Sequence, residues 1–171
     1  MAGAGGLLLT QGYRMERITV WLDPAASEKG HQTIQGLYAI GSGGLFGKGL
    51  GQSMQKLGFL PEANNDMIFS VICEELGLFG ALCVLALFFA LIWRFMVIAV
   101  NAPDLYGSMI VVGVIAHIGI QVFINIAVAT NTIPNTGIPL PFISYGGSSL
   151  VFMLLEMGLV LSVSRYINVK K

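Results

Sequence analysis

The chain has 171 residues, of which 55% are hydrophobic and 11% are charged, and its mean hydropathy is +0.77. Soluble domains carry about 25% charged residues, so this composition predicts a protein whose surface lies largely in lipid. The formal net charge is zero, and since the sequence has no basic run, zinc-ligand spacing or nucleotide-binding loop, nothing in it points to a nucleic-acid partner.

The chain begins with a short apolar stretch, residues 1–12, that lacks the basic start of a signal peptide. It is shorter than the about 20 apolar residues that cross a bilayer, so we interpret it as a surface segment or as the truncated stub of a helix. Residues 13–30 are amphipathic and contain the turn Asp23-Pro24. They are predicted to form a membrane-proximal loop or interfacial helix.

A weakly apolar, glycine-rich segment follows at residues 31–51, with six glycines between Gly41 and Gly51. This density predicts an irregular helix that packs closely on protein and leads into a loop. The alternative is a loop that contacts pyrophosphate around Lys48. It is less favoured, because no Ser or Thr follows Lys48 and no strand precedes it, as a Walker motif requires.

The loop Gln55–Asp66, QKLGFLPEANND, collects polar and acidic residues directly before the longest apolar run of the chain. Its last residue, Asp66, stands at the entrance of a predicted membrane helix. Such a carboxylate is either an N-cap, for which Asp is a favoured residue, or a functional group. The residues alone leave both interpretations open.

Three membrane spans are predicted after this loop, at Met67–Val100, at Ser108–Thr130 and at Leu150–Val163, the last with residues 144–149 as its entry. Glu74 and Glu75 directly precede the uncharged part of the first span. Carboxylates at this depth are costly and usually face protein or a water-filled cavity. The alternative is that the pair only marks the membrane interface.

Two patterns within these spans concern side chains that could react. His117, Gln121 and Asn125 recur every four positions and form one polar stripe on the second span. Interhelical hydrogen bonding is favoured over a catalytic histidine for this stripe. Cys73 and Cys83 face different ways on the first span and are predicted to be small buried hydrophobic residues without a disulfide.

The segment between the second and third spans, residues 131–149, contains three prolines, three glycines and no charge. It cannot be helical throughout. A non-helical stretch at membrane depth must be covered by protein or line a cavity, so this proline-rich loop is a second candidate for a functional segment.

Lysine and arginine residues predict the orientation in the membrane. We expect segment 13–30, the turn at 94–104 and the C-terminus to share one side, which then holds seven basic residues against Lys48 and Lys56 on the other. The C-terminus is therefore predicted to be cytoplasmic. The loops at 52–66 and 131–149 are predicted to meet on the external face.

The strings LYAIGSGGLFGKGLGQSMQKLGFLPEANNDMIF, EELGLFGAL, NIAVATNTIPNTGIPLPFISYGGSSL and LSVSR resemble the SEDS family, the shape, elongation, division and sporulation polymerases. The resemblance covers nearly everything from Tyr13 to Ile167. The form TNTIPNTGIPLPF and the tail EMGLVLSVSR are more similar to the division and sporulation branch (FtsW and SpoVE) than to the elongation branch (RodA).

The resemblance implies an all-α polytopic membrane protein. The family has ten membrane helices, and this chain corresponds to the C-terminal part, with about four transmembrane helices, a truncated N-terminal stub and a large external loop. Residues 1–171 would then form a single membrane domain, with a cytoplasmic loop at 13–30 and external loops at 52–66 and 131–149. The first five to six helices of the family have no counterpart here.

The resemblance also implies an activity and a location. The family polymerises lipid II, the undecaprenyl-pyrophosphate disaccharide, into glycan strands on the outside of the bacterial cytoplasmic membrane. Its essential aspartate lies in a PE-x-x-x-D context, which places it at Asp66 with Glu62 four residues before, and a carboxylate there can act as the general base. A penicillin-binding transpeptidase and other divisome proteins are the implied partners.

Further candidate residues would bind the substrate. Charge on the departing pyrophosphate could be met by a lysine, by backbone N–H groups or by a divalent cation such as Mg or Mn, while no protein metal site and no certain cofactor are predicted. The candidates are Lys48, Lys56, Glu62, Glu74, Ser144, Tyr145, Gly146 and Gly147. Two departures from the family pattern, Asn64-Asn65 in place of His-Thr and Gly58 at a position that is acidic in some members, leave Asp66 in place.

Two alternative functions stay open. A lipid II flippase would use the same cavity and the same membrane carboxylates but would need no base on the outer face. An inactive membrane fragment with a structural role, which binds a partner or a missing N-terminal half, is the other.

Overall fold

The computed structural model describes residues 15, 17–26, 30–54 and 65–167. Within these residues the chain is helical and contains no strand, so the predicted all-α class is confirmed. A helical segment at 17–22 and a 3₁₀ turn at Pro24–Ala26 come first. The four long elements are α1 (His31–Gly43), α2 (Ile68–Val100), α3 (Leu105–Ala129) and α4 (Gly147–Arg165).

Three of the four helices, α2 to α4, are long and apolar enough to cross a membrane, and the protein is a multi-pass membrane protein. Helix α1 has 13 residues and rises about 20 Å, which is less than the about 30 Å of the hydrocarbon core. The described part therefore has three spans where about four helices were predicted. The glycine-rich segment forms the short helix and the loop that its composition predicted.

Helices α2, α3 and α4 pack through one apolar cluster that includes Phe88, Phe95, Ile118 and Met153. The turn between α2 and α3 is closed by Ser108, whose Oγ donates to the carbonyl oxygen of Ala99 at 2.8 Å. Many other large apolar side chains of the spans point outward. This is the distribution expected of helices whose solvent is lipid.

Helix α2 is broken at Gly77, whose φ of 69° and ψ of −166° are not helical. The loop after α1 fills the break with backbone hydrogen bonds. Leu78 N donates to the carbonyl of Gly44 at 2.9 Å, and Lys48 N donates to the carbonyl of Glu74 at 2.9 Å. A Cβ at Gly47 or Gly77 would overlap the backbone of the other segment, so the predicted close packing of the glycine-rich segment is confirmed.

The break redirects the first part of α2. Counted from the turn that joins α2 and α3, residues 100–78 rise about 34 Å and residues 105–125 rise about 30 Å. Gly77 and Asn125 therefore lie at about the same height in the bundle. Asp66 comes eleven residues before Gly77 in the chain, yet its carbonyl oxygen lies 2.8 Å from Nδ2 of Asn125. Residues 68–76 therefore turn away from the axis of 78–100 and lie at the end of the bundle.

The described part of segment 13–30 lies at a different end of the bundle from the one predicted. Arg17 donates from Nη1 to the carbonyl oxygen of Asn135 at 2.6 Å, and Trp21 donates from Nε1 to the carbonyl oxygen of Asn131 at 2.9 Å. The described part of this segment thus lies at the same end of the bundle as the proline-rich loop, and the prediction that the two face opposite sides of the membrane is wrong. The physical reason is the shortness of α1, which does not carry the chain across the bilayer.

Both cysteines are free, so the prediction of no disulfide is confirmed. Cys73 is buried as predicted, whereas Cys83 is exposed. The prediction of burial is wrong for Cys83 because it lies on the outward face of the membrane-spanning part of α2.

Candidate functional site

Asp66 lies at the end of the bundle, just before α2, and is 8% exposed. Its Oδ1 accepts a hydrogen bond from Nε2 of Gln32 in α1, at 3.3 Å. Oε1 of Gln32 in turn accepts from Nδ2 of Asn135 in the proline-rich loop, at 3.4 Å. The carboxylate therefore lies at the junction of α1, α2 and the loop that precedes α4.

The backbone around Asp66 is fastened to the proline-rich loop by two polar side chains. Nδ2 of Asn125 donates to the carbonyl oxygens of Asp66 and Ile138, at 2.8 and 2.9 Å. Oγ of Ser144 donates to the carbonyl oxygen of Asn65 at 2.5 Å and accepts from the backbone N–H of Leu140 at 2.7 Å. The structure thus brings together the two segments that the sequence analysis singled out.

The helix-cap interpretation of Asp66 has no support in this geometry. Helix α2 begins at Ile68, its N-cap residue is Met67, and Met67 makes no side-chain cap hydrogen bond. The matching position of α3 shows what a cap looks like, because Asp104 is the N-cap there and its carboxylate accepts from the backbone N–H of Gly107 at 3.3 Å.

A cavity of about 370 Å³ lies beside this junction. Its wall contains Ile68 of α2 and four of the predicted substrate-binding residues, Ser144, Tyr145, Gly146 and Gly147. Helix α4 begins at Gly147 with Gly146 as an N-cap that offers no side chain. The backbone N–H groups of the first turn of α4 are therefore available at the cavity edge, where a helix favours an anion.

The predicted pair Lys48 and Glu74 forms a second cluster at the break in α2. Nζ of Lys48 lies 2.7 Å from Oε1 of Glu74, which is fully buried. Ser53 Oγ donates to Oε2 of Glu74 at 2.5 Å, and Ser42 Oγ donates to Oε1 at 3.5 Å. Glu74 thus faces protein and does not merely mark the membrane interface. It lies about 12 Å from Asp66 along the chain of α2.

The polar stripe of α3 divides into two parts. Asn125 belongs to the junction around Asp66, while Nδ1 of His117 lies 2.7 Å from Oε1 of Glu156 in α4. The predicted interhelical hydrogen bonding is therefore confirmed for His117, whereas Asn125 bonds to the backbone of two loops. His117 and Glu156 lie in the middle of their helices, away from the residues around Asp66.

Two predicted binding residues, Lys56 and Glu62, lie outside the described residues, as do residues 55–64 of the loop. Among the residues that the structure describes, no group of three or more His, Cys, Asp or Glu side chains gathers to hold a metal ion. The divalent cation stays a prediction.

Sequence reasoning missed Gln32, Ser42 and Ser53. Each contacts a carboxylate 21 to 34 positions away in the chain, and none belongs to a periodic pattern or a charged motif. A sequence signal near this site was the polar stripe of α3, which correctly indicated that Asn125 makes hydrogen bonds to other parts of the chain.

The fold and the site define a polytopic membrane protein that holds a nearly buried aspartate against a proline-rich loop at one end of its helices. The sequence profile of the family FTSW_RODA_SPOVE, described as Cell cycle protein, matches residues 2–169. The chain belongs to this family.

Curated relatives support the same assignment. The chain is 55% identical over 170 residues to Stage V sporulation protein E of Bacillus subtilis (strain 168), covering 97% of this chain and 46% of that protein. It is 44% identical over 160 residues to a protein of Geobacter sp. (strain M18) named "Probable peptidoglycan glycosyltransferase FtsW", covering 92% of this chain and 44% of that one. The chain thus spans less than half the length of these relatives.

Solved structures share the fold. A structure described as "Structural coordination of polymerization and crosslinking by a peptidoglycan synthase complex" matches with a TM-score of 0.70 and 31% identity, over 92% of this chain and 43% of that one. The crystal structure of the rod shape determining protein RodA of Thermus thermophilus matches with a TM-score of 0.58 and 38% identity, over 77% and 39% of the two chains.

Proposed function

We propose that this chain is part of a peptidoglycan glycosyltransferase that polymerises lipid II, with Asp66 as the general base. The observation that carries the proposal is the position of Asp66. Its carboxylate is nearly buried, accepts a hydrogen bond from Gln32 and does not occupy the cap position of α2. Relatives named as peptidoglycan glycosyltransferases support the reaction class.

In this proposal Asp66 takes the proton from the acceptor sugar hydroxyl, which then attacks the anomeric carbon of the donor. General base catalysis of this kind contributes about 10²–10⁴-fold. The C–O bond to the pyrophosphate breaks as the new glycosidic bond forms, and the lipid pyrophosphate leaves with the electron pair. The first turn of α4, at Gly147, is the described group best placed to meet that negative charge.

We further propose that the end of the bundle that holds Asp66 faces outward and that the C-terminus is cytoplasmic. Peptidoglycan is built outside the cytoplasmic membrane, so a base for its polymerisation belongs on that face. A penicillin-binding transpeptidase is the proposed partner, because one structural neighbour is a complex that coordinates polymerisation and crosslinking. Division or sporulation is the proposed setting, in line with the FtsW and SpoVE relatives.

The test is Asp66→Asn in the intact protein, assayed with purified lipid II in detergent and read as glycan polymer on a gel. Asn keeps the size and the capping ability of Asp but cannot act as a base. We expect a loss of about 100-fold or more in rate. Asp104→Asn is the matched control, because Asp104 caps α3 and Asn caps about equally well, so its rate should stay at the wild-type value.

A normal rate for Asp66→Asn, with Asp104→Asn also normal, would show that Asp66 is not the base. Equal losses in the two variants would point to a general effect of removing an aspartate at a helix start.

One observation favours the alternative function of a lipid II flippase. Helix α2 is discontinuous at Gly77 beside a buried carboxylate, and transporters often bind their substrates at such interrupted helices. Lipid II presented only in the outer leaflet of proteoliposomes separates the two functions. The proposed transferase makes polymer from it, whereas a flippase makes none.

A further inference from the structure

Glu74 is the most completely enclosed charged side chain among the described residues, with no exposed surface. Its two carboxylate oxygens accept from three segments of the chain. Ser42 comes from the end of α1, Lys48 from the loop inserted at the break in α2, and Ser53 from the residues that lead into the loop at 55–64. One side chain therefore ties α1, the glycine-rich loop and the start of the external loop to α2.

The strength of this tie follows from burial. A buried carboxylate without partners is strongly destabilising, and removing one partner of a buried ion pair destabilises the fold because the other charge is left uncompensated. Lys48 is held twice, since its Nζ pairs with the Glu74 carboxylate and its backbone N–H donates to the Glu74 carbonyl at 2.9 Å. The segment around Lys48 thus has little freedom to move while Glu74 is charged.

The placement of Glu74 links this tie to Asp66. The external loop starts next to Ser53, which is bonded to Glu74, and it ends at Asp66, directly before the helix that carries Glu74. Both ends of the loop are therefore fastened to the same short piece of α2, between Asp66 and the break at Gly77. This piece is about 16 Å long.

We propose that Glu74 is a positioning residue: through Lys48 and Ser53 it fixes the glycine-rich loop and residues 52–54 against the first part of α2, and so holds Asp66 in its working position. This inference rests on the proposed function of Asp66. It also gives Lys48 a role other than the predicted contact with pyrophosphate. The Lys48 charge is compensated by the Glu74 carboxylate at 2.7 Å, so the pair offers little net positive charge to an anion.

The first test is a double-mutant cycle on the rate of polymerisation in the intact protein. Glu74→Gln leaves an uncompensated ammonium, and Lys48→Met leaves an uncompensated carboxylate. We expect each to lower kcat by about 100-fold, because a shift of about 1 Å at a catalytic group costs that much, with KM nearly unchanged. The double variant carries no charge in the cluster, keeps an acceptor for Ser53, and should return to within about fivefold of the wild-type kcat.

A lysine that contacts the substrate predicts a different cycle. Lys48→Met would then raise KM or abolish the reaction, and adding Glu74→Gln would restore nothing. That result would overturn the proposal.

The second test does not depend on activity. Spin labels are attached at Met54→Cys and Thr136→Cys, two exposed positions on the loop start and on the proline-rich loop, after Cys73 and Cys83 are replaced by Ala. The distance distribution should be narrow in the wild type and in the double variant and broad in either single variant. Narrow distributions in both single variants would overturn the positioning role. If the distributions broaden as expected but Asp66→Asn is fully active, the structural role of Glu74 is supported. Asp66 is then not the general base.

Discussion

Gln32 reaches the carboxylate of Asp66 from 34 positions away in the chain, and it is itself oriented by Asn135 of the proline-rich loop. Arg17 then donates to the carbonyl of Asn135 at 2.6 Å. This series of contacts turns the amide N–H of Gln32 toward Asp66. A donor that faces a carboxylate stabilises the charged form over the protonated one, which is the form that a general base needs.

Gln32→Met removes that donor at nearly constant volume. Because the carboxylate of Asp66 then loses a bond that favours its charged form, it is protonated at higher pH, and the acidic limb of the pH–rate profile should move to higher pH. We expect about a fivefold loss of rate at neutral pH, the low end for a hydrogen bond to a charged group. Steady-state rates measured as a function of pH report both effects.

The matched control is Gln35→Met, one turn further along α1. The Gln35 amide lies 3.2 Å from Nε2 of His31, so the pH profile of Gln35→Met should overlie that of the wild type. An unshifted acidic limb in Gln32→Met would show that the bond from Gln32 does not act on the proposed base, Asp66.

At the scale of elements, the break at Gly77 predicts a large effect on stability. Its φ and ψ fall in a region that is essentially restricted to glycine, and an added Cβ would overlap the backbone of Leu45 and Gly47. Gly77→Ala should therefore cost about 3 kcal/mol or more and lower the apparent Tm in detergent by about 6–12 °C. Gly158→Ala is the control, because a Cβ there meets nothing and alanine favours a helix, so its Tm should stay equal or rise.

A Tm for Gly77→Ala within about 2 °C of the wild type would mean that α2 can close its break and continue as a regular helix. Residues 66–76 would then continue along the axis of residues 78–100 and would no longer lie at the end of the bundle. In that case Asp66 could not reach Asn125 in the way described above.

The sequence predicted α2, α3 and α4 well because long and mostly apolar segments with few charges have few other stable arrangements. It placed the proline-rich loop correctly for a similar reason, since three prolines forbid a continuous helix. It did not show the break at Gly77, because a glycine in the uncharged run LGLFGALC reads like any other small residue. The contacts of Gln32 and Ser53 were equally hidden, since they depend on how the segments fold together.

At the scale of the whole molecule, the count of basic residues was misleading because it assumed that the chain crosses the membrane between segment 13–30 and the loop at 52–66. With Arg17 and Trp21 bonded to the proline-rich loop, that segment joins the end of the bundle that holds Asp66. If all of segment 13–30 is counted on the same side as Arg17 and Trp21, that side has five basic residues and the other side has four. The positive-inside rule then favours neither orientation. The proposed orientation is therefore based only on the side of the membrane where the proposed reaction takes place.

Cysteine labelling in spheroplasts tests that orientation. In a protein with Cys73 and Cys83 replaced by Ala, single exposed cysteines are introduced by Leu22→Cys, Met54→Cys and Tyr166→Cys. A membrane-impermeant maleimide should label the first two in intact spheroplasts, because both lie at the end of the bundle that holds Asp66, and should label Tyr166→Cys only after lysis. Labelling of Tyr166→Cys from outside would place Asp66 in the cytoplasm, where no glycan strand is built. Labelling of Met54→Cys but not of Leu22→Cys would contradict the contact between segment 13–30 and the proline-rich loop.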